Sequence, residues 1–427
     1  MIIDNVIGKY LTKKQQRRLL LLTSLQWMAV AAGVMILSLT LPSIIKDLPG
    51  GSEMQGILAS SVFMGMLVGA LTSGTLSDNI GRKITNIIFL LNAIFFTFFS
   101  GMSANATHFA IFRFFSGIGF GGLLPVVNAY LSEFSPIKNR GRYLTLLESS
   151  WAVGSIMIGL FSVLTVDSIG WRPSYFVLAG YSLILLFIAF MLPESPKFAY
   201  IKGGKKALEK VLDNKIEENI EMHEPKKIPL LQLMKGKYLS RTIMIWLAWF
   251  SVSFSYYGIF TWAPKLFEAK GLTAVSASWY TFFMLLMQLP GYLLATYFID
   301  KIGRKKTGIF FFSGTGIAIL LLLFVNTQSL LFTFAVVMSI FNMGAWGLVY
   351  AYTPELYPTE MRSSANGTSG VMARVSGIIA PYFTASLMAM GNVFGITTIT
   401  LTIMLIMLIT AFFIARFGIE TMNKAIE

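Results

Sequence analysis

Cysteine is absent from the 427 residues, so the chain has neither disulfides nor thiolate metal sites. Only two histidines occur, which removes a His-based metal centre as well. Charge is also scarce. Asp, Glu, Lys and Arg make up 13% of the chain, against roughly 25% in a soluble domain, so the surface that a water-facing fold requires is missing. Acids are the scarcer sign: 20 Asp and Glu face 34 Lys and Arg, leaving a formal net charge of +14. A surplus of that size raises a nucleic-acid partner, but the basic residues fall in short clusters between long apolar runs, which excludes one. No cleavable signal peptide is evident. Met1 to Leu19 is polar and basic, and the apolar run behind it is long enough to span a membrane.

What the chain has instead is apolar length, with 55% hydrophobic residues. A spanning helix needs about 20 mostly apolar residues. Candidate spans run at 20–45, 54–77, 84–102, 108–132, 142–166 and 172–192, and again at 241–267, 273–299, 306–325, 328–354, 362–389 and 393–416. The expected fold class is an all-α membrane protein of twelve transmembrane helices in two six-helix bundles. The bundles occupy 1–192 and 241–427. Residues 193–240 form a cytoplasmic loop between them, with an amphipathic helix around Lys205–Glu221 on the membrane surface. Of the 34 Lys and Arg, 28 fall on the face that carries both termini and 4 on the other, while Arg113 and Arg374 lie inside spans. That asymmetry predicts a multi-pass cell-membrane protein with both termini cytoplasmic.

One charged string occurs twice. Asp78-x-x-Gly81-Arg82-Lys83 returns as Asp300-x-x-Gly303-Arg304-Lys305, and Glu133-x-x-Pro136-x-x-x-Arg140 returns as Glu355-x-x-Pro358-x-x-x-Arg362. Both pairs keep one offset, 300 − 78 = 355 − 133 = 222, which marks a duplicated structural unit. Duplicated halves in a membrane chain point to a transporter. Asp78 and Asp300 close spans two and eight, and a Gly then permits a tight turn before the basic pair. Glu133 and Glu355 close spans four and ten, where proline stops the helix. Acid and base at helix ends on one face are placed to form inter-helix ion pairs and a cytoplasmic gate. The alternative is charge that only sets topology.

Over essentially its whole length the chain resembles the major facilitator superfamily. Gly74-x-x-x-Asp78-x-x-Gly81-Arg82-Lys83 matches that superfamily's loop signature. Arg113-x-x-x-Gly117-x-Gly119, Tyr130-Leu131-Ser132-Glu133-x-x-Pro136-x-x-x-Arg140-Gly141 and Pro193-Glu194-Ser195-Pro196 resemble its sugar-porter and organic-ion branches. Leu146-Leu147-Glu148-Ser149 with Trp151, and Tyr257-Gly258-Ile259-Phe260-Thr261-Trp262-Ala263-Pro264, are similar to bacterial nicotinate-type transporters. Ala373-Arg374-Val375-Ser376-Gly377 is similar to organic-anion and aromatic-acid transporters, where the resemblance implies that the Arg contacts the substrate carboxylate. The paired Gln that sugar porters place in span seven is missing; Ser251 to Tyr257 holds Phe254, Tyr256 and Tyr257 instead.

Ionisable groups inside spans cost about 2.5–3.5 kcal/mol on insertion scales and usually face a cavity or a partner. Arg374, near the middle of span eleven, offers a fork that fits a carboxylate, or else pairs with an acid such as Glu148. Glu148, two turns into span five, is a candidate proton-coupling group or a fixed partner for an Arg. Arg113 either adds positive potential that draws anions inward or bonds to helix carbonyls. In proton-coupled relatives a span-one Asp accompanies that Arg, yet no acid occurs from Leu19 to Ile45, and Val30 and Gly33 stand where nicotinate-type relatives carry Asp. Tyr256, Tyr257, Phe260, Trp151, Trp346 and Tyr350, with Asn128, Gln288 and Asn342, are candidates for the remaining pocket wall. Gly117, Gly119, Gly121 and Gly122 read as close helix packing rather than a nucleotide loop.

The expected function is movement of a small organic anion, an aromatic monocarboxylate of nicotinate or benzoate type, by alternating access with or without protons. The expected partners are that substrate, protons and membrane lipids, with no nucleic acid, no cofactor, no enzymatic chemistry and a monomeric chain. A sugar or neutral-solute facilitator and a non-transporting receptor are the other readings.

Overall fold

A backbone surrounded by lipid must satisfy its own polar groups, and in an apolar chain of this kind only helices do so. The computed structural model describes residues 3–136, 140–220, 230–325 and 327–422. Among them twelve helices are long and apolar enough to cross a membrane, as six plus six. In order, the first part of the chain forms α1 (Ile3–Tyr10), α2 (Lys13–Asp47), α3 (Ser52–Ile80), α4 (Arg82–Gly101), α5 (Ala106–Glu133), α6 (Arg140–Ile169), α7 (Arg172–Met191) and α8 (Pro196–Leu212). The remainder forms α9 (Lys237–Phe260), α10 (Ala263–Ala269), α11 (Ala274–Leu286), α12 (Gln288–Ile302), α13 (Arg304–Phe324), α14 (Gln328–Glu355), α15 (Thr359–Met388) and α16 (Asn392–Phe417). Large apolar side chains such as Leu71, Phe187, Leu293 and Val393 stand exposed on these helices, as a lipid-facing surface requires.

The chain divides into two compact units that cross the boundaries expected from the sequence. One holds residues 1–36, 61–158 and 169–224; the other holds 37–60, 159–168 and 225–427. The second unit thus takes in the far ends of α2, α3 and α6. Ser38 donates to the carbonyl of Phe260, and Ser60 Oγ donates to that of Ile378 at 2.7 Å. Lys265 Nζ reaches Gln55 Oε1 at 3.2 Å.

Several boundaries differ from expectation for local reasons. The seventh span ends at Phe260, and α10 restarts at Ala263 with Pro264 in its first turn. The eighth breaks at Met287, three residues before Pro290, whose ring cannot continue the hydrogen-bond ladder. The linker helix begins at Pro196 rather than near Lys205. Ser195 caps it, its hydroxyl accepting from the N–H of Phe198 at 3.3 Å. That helix kinks at Gly204, where φ is 62°, and stops at Asp213. Residues 221–229 of the expected linker and Lys424 lie outside the described residues.

Within the first unit, α3 and α5 approach so closely that a Cβ at Gly117 would lie 2.2 Å from the carbonyl oxygen of Val62. The glycines of α5 are therefore packing residues, as expected. The polar N-terminal stretch contains a helix that the apolar pattern does not announce. In α1, Ile3, Val6 and Ile7 are buried, and Asp4 holds two basic residues of other elements. Arg140 Nη2 lies 2.6 Å and Lys197 Nζ 3.0 Å from Asp4 Oδ1. At the other end Lys9 and Tyr10 both reach Glu218.

Burial pushes the Asp4 carboxyl up, but the hydrogen bonds and charges of Lys197 and Arg140 outweigh it and hold it below the ordinary range. Its contribution to stability is therefore complete above the unfolded value of roughly 4 and is lost as pH falls through the lowered folded value. Asp4→Asn should speed amide exchange across Val6–Tyr10 about fivefold at pH 7, for a contribution of about 1 kcal/mol. The difference from wild type should shrink as pH falls below 4. Equal protection in both proteins at pH 7 would show that the pair does not hold α1.

Candidate functional site

At one end of each unit an arginine, two carboxylates and a helix N-terminus are gathered into the same figure, with a third carboxylate, Asp78, joining it in the first unit. In the first unit, Arg82 opens α4 after Gly81. Its Nε lies 3.1 Å from Glu133 at the end of α5, its Nη2 lies 3.1 Å from Asp78 at the end of α3, and its Nη1 donates to the carbonyl of Ser77. The first N–H groups of α4, those of Arg82 and Lys83, both donate to Glu194 Oε1, at 2.9 and 3.1 Å. Glu194 follows α7, so this carboxylate caps a helix far from it in sequence. Ser195 donates its hydroxyl to Glu133, and Tyr130 donates to the carbonyl of Pro193 at 2.9 Å.

The second unit repeats the figure. Arg304 grips Glu355 with both arms, Nε and Nη2 each at 2.7 Å. Its N–H and that of Lys305 donate to Glu420, at 2.9 and 3.2 Å. Thr421 donates its hydroxyl to Glu355, and Tyr352 donates to the carbonyl of Ile419 at 2.6 Å. Burial acts to raise the Glu420 carboxyl, but the N–H groups of Arg304, Met422, Lys305 and Thr421 outweigh it, so it sits below the ordinary range and stays ionised. An anion at a helix N-terminus is worth ~0.3–1 kcal/mol, and up to ~2 where partly buried.

These carboxylates explain the repeated glycines. Gly81 and Gly303 have φ of 94° and 85°, a region that strains other residues. A Cβ there would also lie 2.3 Å from a carboxylate oxygen, of Glu194 and Glu420 respectively. The capping acids escaped the search for repeats because their spacing is 420 − 194 = 226, four residues more than the offset of the other motifs. Tyr130 and Tyr352 keep the 222 spacing and were legible as a repeat.

Two expected gate members are placed differently. Arg140 goes to Asp4 and to the carbonyl of Ser135, and Arg362 Nε donates to the carbonyl of Tyr357 at 3.1 Å; neither meets Glu133 or Glu355. Six residues separate each Arg from its motif's Glu, and a proline lies between them. Asp300 is exposed and makes no ion pair among the described residues, whereas Asp78 does.

The second unit also assembles seven of the expected pocket residues, Tyr350 among them. Tyr256 stands at the centre, with ring centroids 5.1 Å from Tyr257, 4.5 Å from Phe260 and 6.2 Å from Trp346. Gln288 Nε2 donates to the Tyr256 hydroxyl at 2.9 Å, and Asn342 Nδ2 to Ser255 Oγ at 2.9 Å. Trp249, which was not foreseen, joins Trp346 and Tyr350 edge-on at 5.7 and 4.7 Å. Arg374 lies near the middle of the 30-residue α15, which packs against α9, the helix that carries Tyr257. Bonds between α9 and α15 fix its position on both sides. Ser253 Oγ donates to the carbonyl of Ala373 at 2.7 Å, and Ser376 Oγ to that of Phe250 at 2.8 Å. Arg374 is half-buried, forms no ion pair among the described residues, and its Nε has no hydrogen-bond partner.

Arg113, Glu148 and Trp151 belong to the first unit. Arg113 is fully buried; its Nη2 donates to the Gly33 carbonyl at 2.6 Å and the guanidinium lies 5.7 Å from the Tyr175 ring. That carbonyl is where an acid was looked for, so a helix backbone takes one of the five N–H groups. Nε and Nη1 have no partner. Glu148 and Trp151 are half-buried on α6, and Glu148 makes no ion pair among the described residues. Among the described residues no cluster of metal-ligating side chains occurs.

The sequence profile of the family described as "Sugar (and other) transporter" matches residues 50–427. The chain is 35% identical over 377 residues to the "Putative niacin/nicotinamide transporter NiaP" of Bacillus subtilis, covering 88% of this chain and 89% of that protein. It is 32% identical over 442 residues to the "Niacin transporter NiaP" of Acinetobacter baylyi, covering 100% and 98%. Among solved structures, the xylose transporter XylE from E. coli in a partially occluded inward-open conformation has a TM-score of 0.78 at 16% identity, covering 96% of this chain and 99% of that one, a likeness of fold. The chain therefore belongs to the sugar (and other) transporter family of the major facilitator superfamily, and it is a membrane transporter rather than an enzyme.

Proposed function

We propose that the chain carries a small aromatic monocarboxylate across the cell membrane by alternating access, with both termini in the cytoplasm. The observation that carries this reading is Arg374. Its backbone is held in mid-helix by bonds on either side, it forms no ion pair among the described residues, and its helix packs against α9, which carries Tyr256, Tyr257 and Phe260 of the aromatic cluster. A planar fork beside aromatic faces complements a flat ring bearing a carboxylate. Two relatives named as niacin transporters support the same class of cargo.

Glu148 is the proposed proton-exchanging group. It is a carboxyl within a spanning helix, with no basic partner among the described residues. The clusters around Arg82 and Arg304 are proposed to lie on the cytoplasmic side, where the positive charge is concentrated. There they lock the ends of several helices so that each moves as one piece during the cycle.

Arg374→Ala should lower carboxylate uptake into proteoliposomes at least about a hundredfold while leaving thermal stability within a few degrees of wild type. Arg374→Lys should recover only part of it, because a point charge replaces a fork. Uptake retained by the Ala variant would refute the anchoring role. Glu148→Gln should abolish accumulation driven by an imposed inward proton gradient and leave counterflow exchange within about threefold of wild type. Undiminished gradient-driven accumulation in that variant would remove the proton role.

A further inference from the structure

Arg113 carries a charge that nothing in the first unit answers. It is 0% exposed within the spanning helix α5, and a guanidinium keeps its proton there. Nη2 donates to the Gly33 carbonyl at 2.6 Å, while Nε and Nη1 have no hydrogen-bond partner. At least three of its five N–H groups are therefore open. A guanidinium has only donors, so no rotation of the group removes the deficit. Arg113 forms no ion pair among the described residues, and α2, which supplies the carbonyl, has no acid from Leu19 to Ile45. Buried charges are paired, and ionisable groups inside spans face a partner or a cavity.

Packing does not account for the residue. The repeat places Leu331, Ala335 and Met338 of α14 where α5 has Phe109, Arg113 and Ser116, since 331 − 109 = 335 − 113 = 338 − 116 = 222. Those three residues line a cavity of about 50 Å³ in the second unit, whose other walls are apolar but for Lys270 and Thr400. The second bundle thus keeps its fold with an alanine and open space at this position. Filling the first bundle does not require a guanidinium. What Arg113 adds is charge.

The surroundings limit what that charge can hold. The guanidinium lies 5.7 Å from the Tyr175 ring. Tyr175 packs edge-on with Phe109 at 5.5 Å and with Trp171 at 5.6 Å, and Phe109 meets Trp171 at 5.6 Å. All three rings are buried. A ligand with a ring of its own would have to part them, whereas a monatomic anion needs little more than the room of one water. A spherical ion also needs no two-pronged fork, so a guanidinium already engaged at Nη2 suits it.

We infer that Arg113 binds a halide ion of chloride's size, which serves as the counter-charge of the first unit. This site is separate from the proposed cargo anchor Arg374, which belongs to the second unit.

Equilibrium binding of radiolabelled chloride to the purified full-length protein tests this, with gluconate holding the ionic strength constant. Wild type should bind about one chloride per chain, displaced by bromide and not by benzoate. Its melting temperature should be at least about 2 °C higher in saturating chloride than in gluconate. Arg113→Met, similar in length and uncharged, should bind no chloride and melt at the same temperature in both salts. If that variant does not fold, Arg113→Lys, which replaces a planar fan of donors by a point charge, should bind at least about tenfold more weakly. Arg374→Ala should bind chloride as wild type does. Chloride binding that survives Arg113→Met, that is undiminished in Arg113→Lys, that benzoate displaces or that Arg374→Ala abolishes would overturn the inference. So would the absence of binding by wild type at about 100 mM chloride. Dependence of benzoate uptake on Arg374 stands or falls separately, because it is read in a different variant.

Discussion

A carboxylate aimed at the open N–H groups of a distant helix is the interaction on which each end cluster depends. Glu194 caps α4, and the arginine opening that helix binds Glu133 and Asp78, so the ends of α3, α5 and α7 meet at one point. Glu420 caps α13 in the same way, and Arg304 at its start binds Glu355 of α14 and the Ile299 carbonyl of α12. Without the cap, the first N–H groups of those helices would be open, and a half-buried carboxylate would lose its donors at the same time. The glycine at each turn follows from this. Its positive φ turns the chain, and its missing side chain leaves room for the acid.

Duplication is kept where helices are tied together and abandoned where charge lies inside the membrane. Position 222 beyond Arg113 is Ala335, and position 222 beyond Glu148 is Gly370. Arg374 corresponds to Ala152. The proposed moving parts are thus paired, while the proposed cargo-binding parts are single. The polar atoms of Gln288, Asn342, Trp346 and Arg374 that lack a hydrogen-bond partner all lie in the second unit.

Twelve spans were legible because apolar length is a direct consequence of lipid burial, and the repeat was legible because its charges are sparse. The placement of Arg140 was not, since its partner Asp4 sits in α1, a short helix whose apolar residues number too few to give a periodic signal. Nor were Glu194 and Glu420 legible as caps, because a four-residue difference in spacing hides the match. Tyr256, Tyr257, Phe260, Gln288, Asn342 and Trp346 do fall together, since three spacings of one helical turn put them on inward faces. The short segments of the first half that belong to the second unit were not readable. Residues 37–60 and 159–168 pack with the second unit through side-chain to carbonyl bonds such as Ser60 to Ile378, which leave no trace in composition.

If the carboxylate caps serve movement and the aromatic cluster serves binding, one variant should separate the two. Binding of benzoate and its counterflow exchange rate can be measured on the same preparation of Glu420→Gln, a change that keeps the shape and removes the charge. The account predicts affinity within about twofold of wild type and exchange slowed at least about tenfold. Lost affinity with an unchanged exchange rate, or no change in either, would contradict it.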